Sequence, residues 1–308
     1  MIRVLFADRE EWPGYEHPLT QACAEAGLVA EIGLDWPPET VDYIVTSPAG
    51  WLKDFAPYTR AKAVLNLWAG VEGIVGNETL TQPLCRMVEP GLREGMVEWV
   101  TGQVLRHHLG MDRYIKRDAP HWDYAVPPLA RDRTVGILGL GELGAACAAT
   151  VSGLGFRVLG WSRTRKDLPG VETHGDASGL ARVLSASEIL VLLLPATPGT
   201  ENILDAAAVA RLPKGAVVIN PGRGPLIDDD ALVDALERGH LGHATLDVFR
   251  VEPLPADHPF WSNPRVTVTP HVASATRPAT ASRALAENIR RREADLPLLG
   301  LVDRGAGY

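Results

Sequence analysis

Short aliphatic runs alternate along the chain with longer segments in which apolar residues recur every three or four positions. The runs predict buried strands and the segments predict helices, which together indicate parallel sheets covered by helices. Leu19–Ala26 is predicted as a helix that Gly27 ends, and Leu52–Lys62 is compatible with a helix. The strands predicted in the first part of the chain are Ile2–Ala7, Tyr43–Thr46, Ala63–Leu67 and, as a candidate fourth, Leu84–Val88.

A second series of strands follows the long segment Glu94–Arg117, which has no proline and is predicted as one helix linking two domains. Pro120 then ends helical structure. Further helices are predicted at Asp228–Arg238 and Pro278–Glu293. The strands of this series, about six in all, are predicted at Thr134–Leu138, Arg157–Gly160, Glu188–Leu194, Ala216–Ile219, Ala244–Val248 and Val266–Thr269.

The predicted fold is α/β, with two Rossmann-like lobes that each contain a doubly wound parallel sheet. Residues 1–95 and 275–308 are expected to form a flavodoxin-like substrate domain, to which the last helix returns. Residues 96–274 are expected to form the larger, dinucleotide-binding Rossmann domain.

A glycine-rich turn supports that division of roles. Thr134–Leu138 runs directly into G-x-G-x-x-G at Gly139, Gly141 and Gly144, and an alanine-rich helix start follows. The first glycine permits a tight turn, the second lets the backbone approach a pyrophosphate, and the third lets helix and strand pack closely. Because a strand precedes the motif and a helix follows it, dinucleotide binding is favoured over a plain turn.

Composition narrows the class of protein. The chain has 308 residues, of which 46% are hydrophobic and 22% charged, as in ordinary soluble domains. Its net charge of −8 argues against nucleic acid or an anionic membrane surface as a partner. The scattered Cys23, Cys85 and Cys147 are interpreted as buried thiols without metal-ligand spacing. With no signal peptide and no membrane span indicated, we expect a cytoplasmic protein that binds no metal.

The end of the second strand in the larger domain bears on the choice of nucleotide. An NAD-binding fold places an acid there, but this chain continues Ser162, Arg163, Thr164 and has no acid until Asp167. Hydroxyl donors and cations suit a 2′-phosphate. The predicted cofactor is therefore NADPH, with NADH possible.

Three polar residues follow later strands of the same domain. Arg223 stands after the fourth strand, Glu252 after the fifth and His271 after the sixth, so all three are expected at the edge that carries the glycine turn. A guanidinium suits the carboxylate and carbonyl of a 2-oxo acid, and an imidazole can protonate the alkoxide that hydride transfer leaves. A neighbouring carboxylate orients the imidazole and favours its charged form.

These blocks together resemble one enzyme family. L-W-A-G-V-E-G-I, G-L-G-E-L-G, W-S-R-T-R-K, N-P-G-R-G, L-D-V-F-R-V-E-P-L-P, T-P-H-V-A-S and the terminal V-D-R-G-A-G-Y are similar to motifs of the D-isomer-specific 2-hydroxyacid dehydrogenases. Within that family they most resemble the glyoxylate/hydroxypyruvate reductase A branch. The similarity covers essentially the whole chain.

The resemblance implies NADPH-dependent reduction of glyoxylate and hydroxypyruvate by a homodimer. Arg223 would bind the substrate carboxylate and carbonyl, His271 would act as acid and base, and Glu252 would be its partner. Trp68, Ala69, Gly70 and Val71 would contact the substrate, and Asp247 the nicotinamide carboxamide. The residues expected to bind the cofactor are Gly139, Gly141, Glu142, Leu143, Gly144, Ser162, Arg163, Thr164, Leu194, Pro195, Thr200, Pro221, Gly222, Asp247, His271 and Ser274.

Some features leave the substrate open. Trp68 stands where the family usually has a small residue, and N-P-G replaces the commoner small or apolar pair before R-G. Trp51 and Arg277 are further candidates for the pocket.

The alternative functions are that of another D-2-hydroxy acid dehydrogenase and that of a nucleotide-sensing, corepressor-like protein. A phosphoglycerate dehydrogenase would usually bring an extra regulatory domain or a strongly basic pocket.

Overall fold

The computed structural model describes residues 1–115, 122 and 124–308. Its strands are β1 Ile2–Phe6, β2 Ala30–Gly33, β3 Tyr43–Thr46, β4 Ala63–Asn66, β5 Leu84–Cys85, β6 Thr134–Leu138, β7 Arg157–Trp161, β8 Val171–His174, β9 Ile189–Leu192, β10 Ala216–Asn220, β11 Leu241–Leu246 and β12 Val266–Val268. Its α-helices are α1 Trp12–Glu25, α2 Pro90–His108, α3 Asp112–Ile115, α4 Glu142–Gly153, α5 Asp176–Ala186, α6 Ala206–Val209, α7 Asp229–Glu237, α8 Pro259–Ser262 and α9 Pro278–Glu293.

The chain forms two compact units. Residues 1–92 and 275–308 form the five-stranded unit, with strand order β2-β1-β3-β4-β5. Residues 93–274 form the seven-stranded unit, with order β12-β11-β10-β9-β6-β7-β8. Every strand pair in both sheets is parallel, which confirms the predicted α/β fold with two doubly wound sheets.

The central strands are aliphatic because helices cover both of their faces. All four residues of β3 and of β9 are buried. In the five-stranded unit, α9 packs against α1 through an apolar cluster that includes Leu19, Leu285 and Ile289. The helix predicted at Pro278–Glu293 is present with those bounds and lies in this unit.

Two strands escape the sequence prediction, and both lie at an outer edge of their sheet. β2 reads A-E-I-G and β8 reads V-E-T-H, and most of their residues are only partly buried. An edge strand half exposed to solvent keeps polar residues, so it shows no aliphatic run. The larger sheet therefore has seven strands instead of the expected six or so.

The expectation of a helix at Leu52–Lys62 is wrong. The buried residues there are Leu52, Phe55, Tyr58 and Ala61, a spacing of three that resembles a helical stripe. Successive turns produce this spacing instead, because Tyr58 N donates to Phe55 O and Ala61 N to Tyr58 O. Helix α1 also differs from the prediction, since it begins at Trp12 and accommodates Pro18 within it.

The long linking helix begins earlier and ends earlier than predicted. The Glu89 carboxylate accepts hydrogen bonds from Gly91 N at 2.7 Å and Leu92 N at 2.6 Å, which caps the start of α2. The helix ends at His108 because Gly110 adopts a φ of +62°, and a short helix, α3, follows. The predicted end at Arg117 and the break at Pro120 lie outside the described residues.

The three cysteines are buried and free, as the sequence predicts. Burial raises the pKa of Cys85 and of Cys147 to about 12, so both remain neutral thiols at physiological pH. Within the described parts of the chain, no helix combines the length and the apolar character that crossing a bilayer requires.

Candidate active site

The glycine turn after β6 gives each of its glycines a separate physical role. Gly139 has a φ of +103°, and a Cβ there would lie 2.4 Å from Leu193 O. A Cβ on Gly144 would lie 1.8 Å from Gly139 O, so helix α4 approaches the turn too closely for any side chain. Gly141, between them, would place a Cβ in open space. The turn is thus rigid at both ends and open in the middle, where an anion can reach the start of α4.

This turn lies where the winding of the larger sheet reverses. β6 pairs with β7 on one side and β9 on the other, so a crevice forms outside the carboxyl ends of β6 and β9. The segment after β9 carries the predicted groove residues Leu194, Pro195 and Thr200. Thr200 Oγ1 donates to Pro195 O at 2.7 Å and accepts from Thr197 N at 2.9 Å, which closes this segment into a compact turn.

The segment after β7 is solvent-facing and basic. Ser162 Oγ donates to Thr164 O at 2.7 Å, and Arg163 and Thr164 are exposed. Gly139 N donates to Trp161 O at 2.8 Å, which fixes the end of β7 beside the glycine turn. The candidate 2′-phosphate residues and the candidate pyrophosphate site therefore lie on adjacent strand ends.

His271 and Glu252 form a close pair after β12 and β11. His271 Nδ1 lies 2.7 Å from Glu252 Oε2, and Glu252 Oε1 accepts from Phe249 N at 2.8 Å. The His271 side chain is 50% exposed, so the ring is anchored at Nδ1 while Nε2 is left for a reacting molecule. An imidazole held in this way can deliver or accept a proton at a fixed point.

A buried carboxylate holds the loop that carries His271. Asp247 follows β11, is fully buried, and accepts from Thr269 Oγ1 at 2.5 Å, Val272 N at 2.9 Å and Ala273 N at 2.8 Å. Its own carbonyl accepts from His271 N at 2.8 Å, and His271 has a φ of +52°. The anchoring of the histidine loop was not apparent in the sequence. The contact with nicotinamide that the resemblance implies for Asp247 stays a prediction.

Arg223 lies on the loop after β10, next to the strand that precedes the Glu252 loop. Its backbone is held by Asn220, whose amide donates to Arg223 O at 2.9 Å and accepts from Gly222 N at 3.1 Å. Arg223 Nη1 donates to Gly222 O at 2.6 Å. Buried Pro221 and Gly222 complete this turn, and a Cβ on Gly222 would lie 2.7 Å from Leu192 O.

Arg250 connects the loops of Arg223 and Glu252, and sequence reasoning missed it. Its Nη2 donates to Ile227 O at 2.5 Å and to the side chain of Asn202. A Cβ on Gly224 would lie 2.0 Å from Phe249 C, so the two loops are in direct backbone contact. The only sequence signal was the position of Arg250 inside the block that also holds Asp247 and Glu252.

The predicted substrate loop lies in the five-stranded unit, after β4. Asn66 Nδ2 donates to Trp68 O at 2.7 Å and to Gly70 O at 2.9 Å. These two hydrogen bonds hold the backbone on either side of Ala69. Val71 is buried, whereas Trp68 is 42% exposed. The indole therefore does not enter the core, where tryptophan usually lies.

The remaining candidates occupy different settings. Trp51 lies on the loop after β3 and is 43% exposed. Arg277 precedes α9, where its Nη1 donates to Gly91 O at 2.7 Å. In the seven-stranded unit, Glu142 is exposed in the first turn of α4, Leu143 packs against the core and Ser274 ends the unit, partly buried.

Comparison with known proteins gives a consistent result. The profile of the family described as D-isomer specific 2-hydroxyacid dehydrogenase, NAD binding domain, matches residues 100–273. A glyoxylate/hydroxypyruvate reductase A of Serratia proteamaculans is 40% identical over 257 residues, 81% of this chain and 82% of that protein.

Solved structures are similar over the full length. A D-isomer specific 2-hydroxyacid dehydrogenase from Xanthobacter autotrophicus, in complex with NADPH and MES, matches with a TM-score of 0.90 and 39% identity, covering 100% of this chain and 99% of that one. An NADPH-dependent glyoxylate/hydroxypyruvate reductase from Sinorhizobium meliloti, in complex with NADP and sulfate, matches with a TM-score of 0.85 and 35% identity, covering 100% of both chains.

Proposed function

The chain belongs to the D-isomer-specific 2-hydroxyacid dehydrogenase family, and on that premise we propose that it reduces glyoxylate and hydroxypyruvate with NADPH. The observation that carries this proposal is the His271–Glu252 pair, 2.7 Å apart. The pair lies at the sheet edge that also carries the open glycine turn. A candidate proton donor and a candidate nucleotide site thus follow strands of one sheet at the same edge, which suits the reduction of a carbonyl by a bound nucleotide.

The residues of the seven-stranded unit fit a bound dinucleotide. The open space over Gly141 and the start of α4 suit a pyrophosphate. Ser162, Arg163 and Thr164 offer hydroxyl groups and a cation that suit a 2′-phosphate. Two structures of similar proteins are complexes with NADPH or NADP, which supports this assignment. When bound, NADPH supplies the hydride.

Arg223 would hold the substrate. Its planar guanidinium can bind a carboxylate through two parallel hydrogen bonds and can polarise the neighbouring carbonyl. We assign further carboxylate contacts to the backbone of Ala69, Gly70 and Val71, because Asn66 fixes that turn and glycine permits close approach. The five-stranded unit is then the substrate domain and the seven-stranded unit the dinucleotide domain.

His271 would protonate the alkoxide oxygen from Nε2 as the hydride arrives. Glu252 orients the ring by holding Nδ1, so that Nε2 faces the reacting oxygen. In the oxidation direction the same nitrogen would take the proton back from the hydroxyl.

We also propose that the protein is a homodimer in the cytoplasm. Apolar side chains are unusually exposed along the described part of the segment 115–129, where Trp122 is 92%, Tyr124 83% and Val126 73% exposed. Large apolar side chains exposed to solvent favour coverage by another protein surface, here a second copy. Light scattering coupled to size exclusion would detect the dimer, and a monomer at micromolar concentration would contradict it.

The function is tested by following NADPH absorbance with a panel of 2-oxo acids. We expect turnover of glyoxylate and hydroxypyruvate, weaker turnover of bulky 2-oxo acids, and a lower KM for NADPH than for NADH. Arg223→Gln should raise the substrate KM and lower kcat, because it removes the charge that binds the carboxylate. Tight NADPH binding without turnover of any acid would refute the reductase and favour a nucleotide-sensing protein.

A further inference from the structure

The last ten residues of the chain, 299–308, are a structural part of the five-stranded unit. Leu301 forms an antiparallel bridge with Cys85, and Val302 N donates to Leu84 O at 2.9 Å. A Cβ on Gly300 would lie 2.5 Å from Arg86 O, so the segment lies directly against the outer strand β5. It thus covers an edge that would otherwise present unpaired backbone groups.

Beyond this bridge the segment closes on itself and presents one arginine. Asp303 Oδ1 accepts from Gly305 N at 2.9 Å and Ala306 N at 3.1 Å, while Asp303 N donates to Tyr308 O at 3.1 Å. These bonds hold the turn around Arg304. Val302, one residue before Asp303, is buried in the apolar cluster of the sheet.

The Arg304 guanidinium donates hydrogen bonds to three backbone carbonyls in the segment 75–80. Its Nε and Nη2 donate to Val75 O at 3.2 and 3.0 Å, Nη2 donates to Asn77 O at 2.7 Å, and Nη1 donates to Leu80 O. Four donor contacts in a planar fork suit arginine and no other side chain. Without Arg304 these carbonyls would lose the partner that they share.

The segment 75–80 in turn supports the substrate loop. Val71 O accepts from Ile74 N at 2.9 Å and from Val75 N at 2.8 Å, so the turn that holds Val75 begins at the end of the Trp68–Val71 loop. The side chains of Val71, Ile74 and Leu80 share one buried cluster with Val302.

The same segment also supports the loop that carries Trp51. Asn77 Nδ2 donates to Lys53 O at 2.7 Å, and Thr79 Oγ1 accepts from Phe55 N at 2.9 Å. Both half-exposed indoles, Trp51 and Trp68, therefore stand on loops that are braced by the residues Arg304 binds.

We propose that Arg304 is a positioning residue for substrate recognition, acting through the segment 75–80 on the loops of Trp51 and of Trp68–Val71. This inference rests on the proposed function, because it assigns those loops to the 2-oxo acid. Arg304 itself does not contact the reacting atoms. Its removal loosens the substrate loops and leaves the nucleotide site of the seven-stranded unit intact.

The test compares Arg304→Ala with Arg283→Ala, a matched loss of an exposed arginine on α9 of the same unit. We expect Arg304→Ala to raise the KM for glyoxylate about ten-fold, with the KM for NADPH unchanged and kcat within about two-fold. Arg304→Lys, which keeps the charge but not the fork, should fall between wild type and alanine and keeps the test valid if the alanine variant folds poorly. Arg283→Ala should match the wild type.

Hydrogen–deuterium exchange gives a readout that does not depend on activity. In Arg304→Ala, peptides covering 48–55 and 71–80 should exchange faster, whereas peptides of the seven-stranded unit should not change. If hydrogen–deuterium exchange of residues 71–80 is the same in Arg304→Ala as in the wild type, Arg304 does not stabilise this segment and the proposal is wrong. Faster exchange with a glyoxylate KM equal to that of Arg283→Ala would overturn its role in recognition. If the wild type reduces no 2-oxo acid, the proposed function fails while the exchange data still decide whether Arg304 braces the loops.

Discussion

The two sheets share one kind of winding, but different residues occupy the point where the winding reverses. In the seven-stranded unit, Gly139 follows β6 and packs against the backbone after β9, and the open Gly141 stands beside it. In the five-stranded unit the corresponding strands are β1 and β3, and Asp8 and Ser47 fill the space between their ends. Ser47 Oγ donates to Asp8 Oδ2 at 2.5 Å, and both residues are buried.

Whether the crevice of such a sheet can bind an anion depends on the residues at the strand ends and not on the fold alone. A helix start with free backbone amides and no side chain invites an anion in the larger sheet. In the smaller sheet, a buried carboxylate repels an anion from the equivalent crevice. The same topology therefore provides a candidate nucleotide site in one unit and a hydrogen-bonded polar pair in the other.

The largest effect on reductase activity is expected when the proposed proton donor, His271, is removed. His271→Ala should lower kcat/KM for glyoxylate reduction by about 10³-fold at every pH. Glu252→Gln keeps the shape of the side chain but removes the carboxylate that holds the ring at Nδ1, so kcat/KM should fall by about ten-fold while the KM for NADPH stays unchanged. A kcat/KM in Glu252→Gln equal to that of the wild type would show that the two residues do not work as a pair.

The next largest effect is expected at Gly141, where the absence of a side chain leaves open space beside the start of α4. Gly141→Ala should fold normally but weaken NADPH binding by about 10²-fold, because the methyl group enters the space left for the pyrophosphate. Gly153→Ala is the matched control, since its Cβ also meets open space but at the far end of α4. Gly144→Ala should in addition lose thermal stability, because its Cβ would overlap Gly139 O. Calorimetric titration with NADPH would measure the binding, and undiminished affinity in Gly141→Ala would place the phosphates elsewhere.

A smaller effect is expected from the basic segment after β7. Arg163→Ala should raise the KM for NADPH about ten-fold and leave the KM for NADH nearly unchanged, because only NADPH carries the 2′-phosphate. Arg211→Ala, which removes an exposed arginine elsewhere in the unit, serves as the control. Equal weakening with both cofactors would mean that Arg163 does not distinguish the 2′-phosphate.

The buried Asp8–Ser47 pair of the five-stranded unit is tested by measuring the stability of the protein. Asp8→Ala removes the acceptor of Ser47 and should lower the free energy of unfolding by about 1–3 kcal/mol, with the KM for NADPH unchanged. Asp8→Asn, which retains a carbonyl acceptor, should cost less. Urea denaturation measures the loss, and a change in NADPH affinity would contradict the assignment of the nucleotide to the other unit.

The smallest effect concerns His108, buried in the seven-stranded unit. Burial, followed by the charge of Arg133, lowers the pKa of His108 below its ordinary value of 6.5. The unfolded chain then binds more protons than the folded one below about pH 6.5, so this histidine makes stability fall as the pH falls. In His108→Gln, the loss of melting temperature between pH 7.5 and 5.5 should be smaller than in the wild type. An identical loss would mean that His108 does not contribute to it.

Much of the site could be predicted because its signals are local. The glycine spacing and the strand before it lie close together in the sequence, and the structure gives Gly139 and Gly144 separate steric reasons to lack a side chain, whereas a Cβ on Gly141 would meet open space. Arg223, Glu252 and His271 each follow an aliphatic strand, and parallel strands bring their carboxyl ends to one edge. The 2.7 Å pairing of His271 with Glu252 is a consequence of that rule.

The amino-acid sequence by itself determined what short-range chemistry can specify: the aliphatic strands, the glycine turn, the basic segment and the family motifs. Tertiary structure decided what depends on distant partners. The polar strands β2 and β8 exist because a neighbouring strand pairs with them, and the spacing of Leu52, Phe55 and Tyr58 became a series of turns instead of a helix. Arg304 binds carbonyls more than 220 residues away. No local pattern encodes such a contact, because its partners are backbone atoms that every residue carries and only the folded chain brings together.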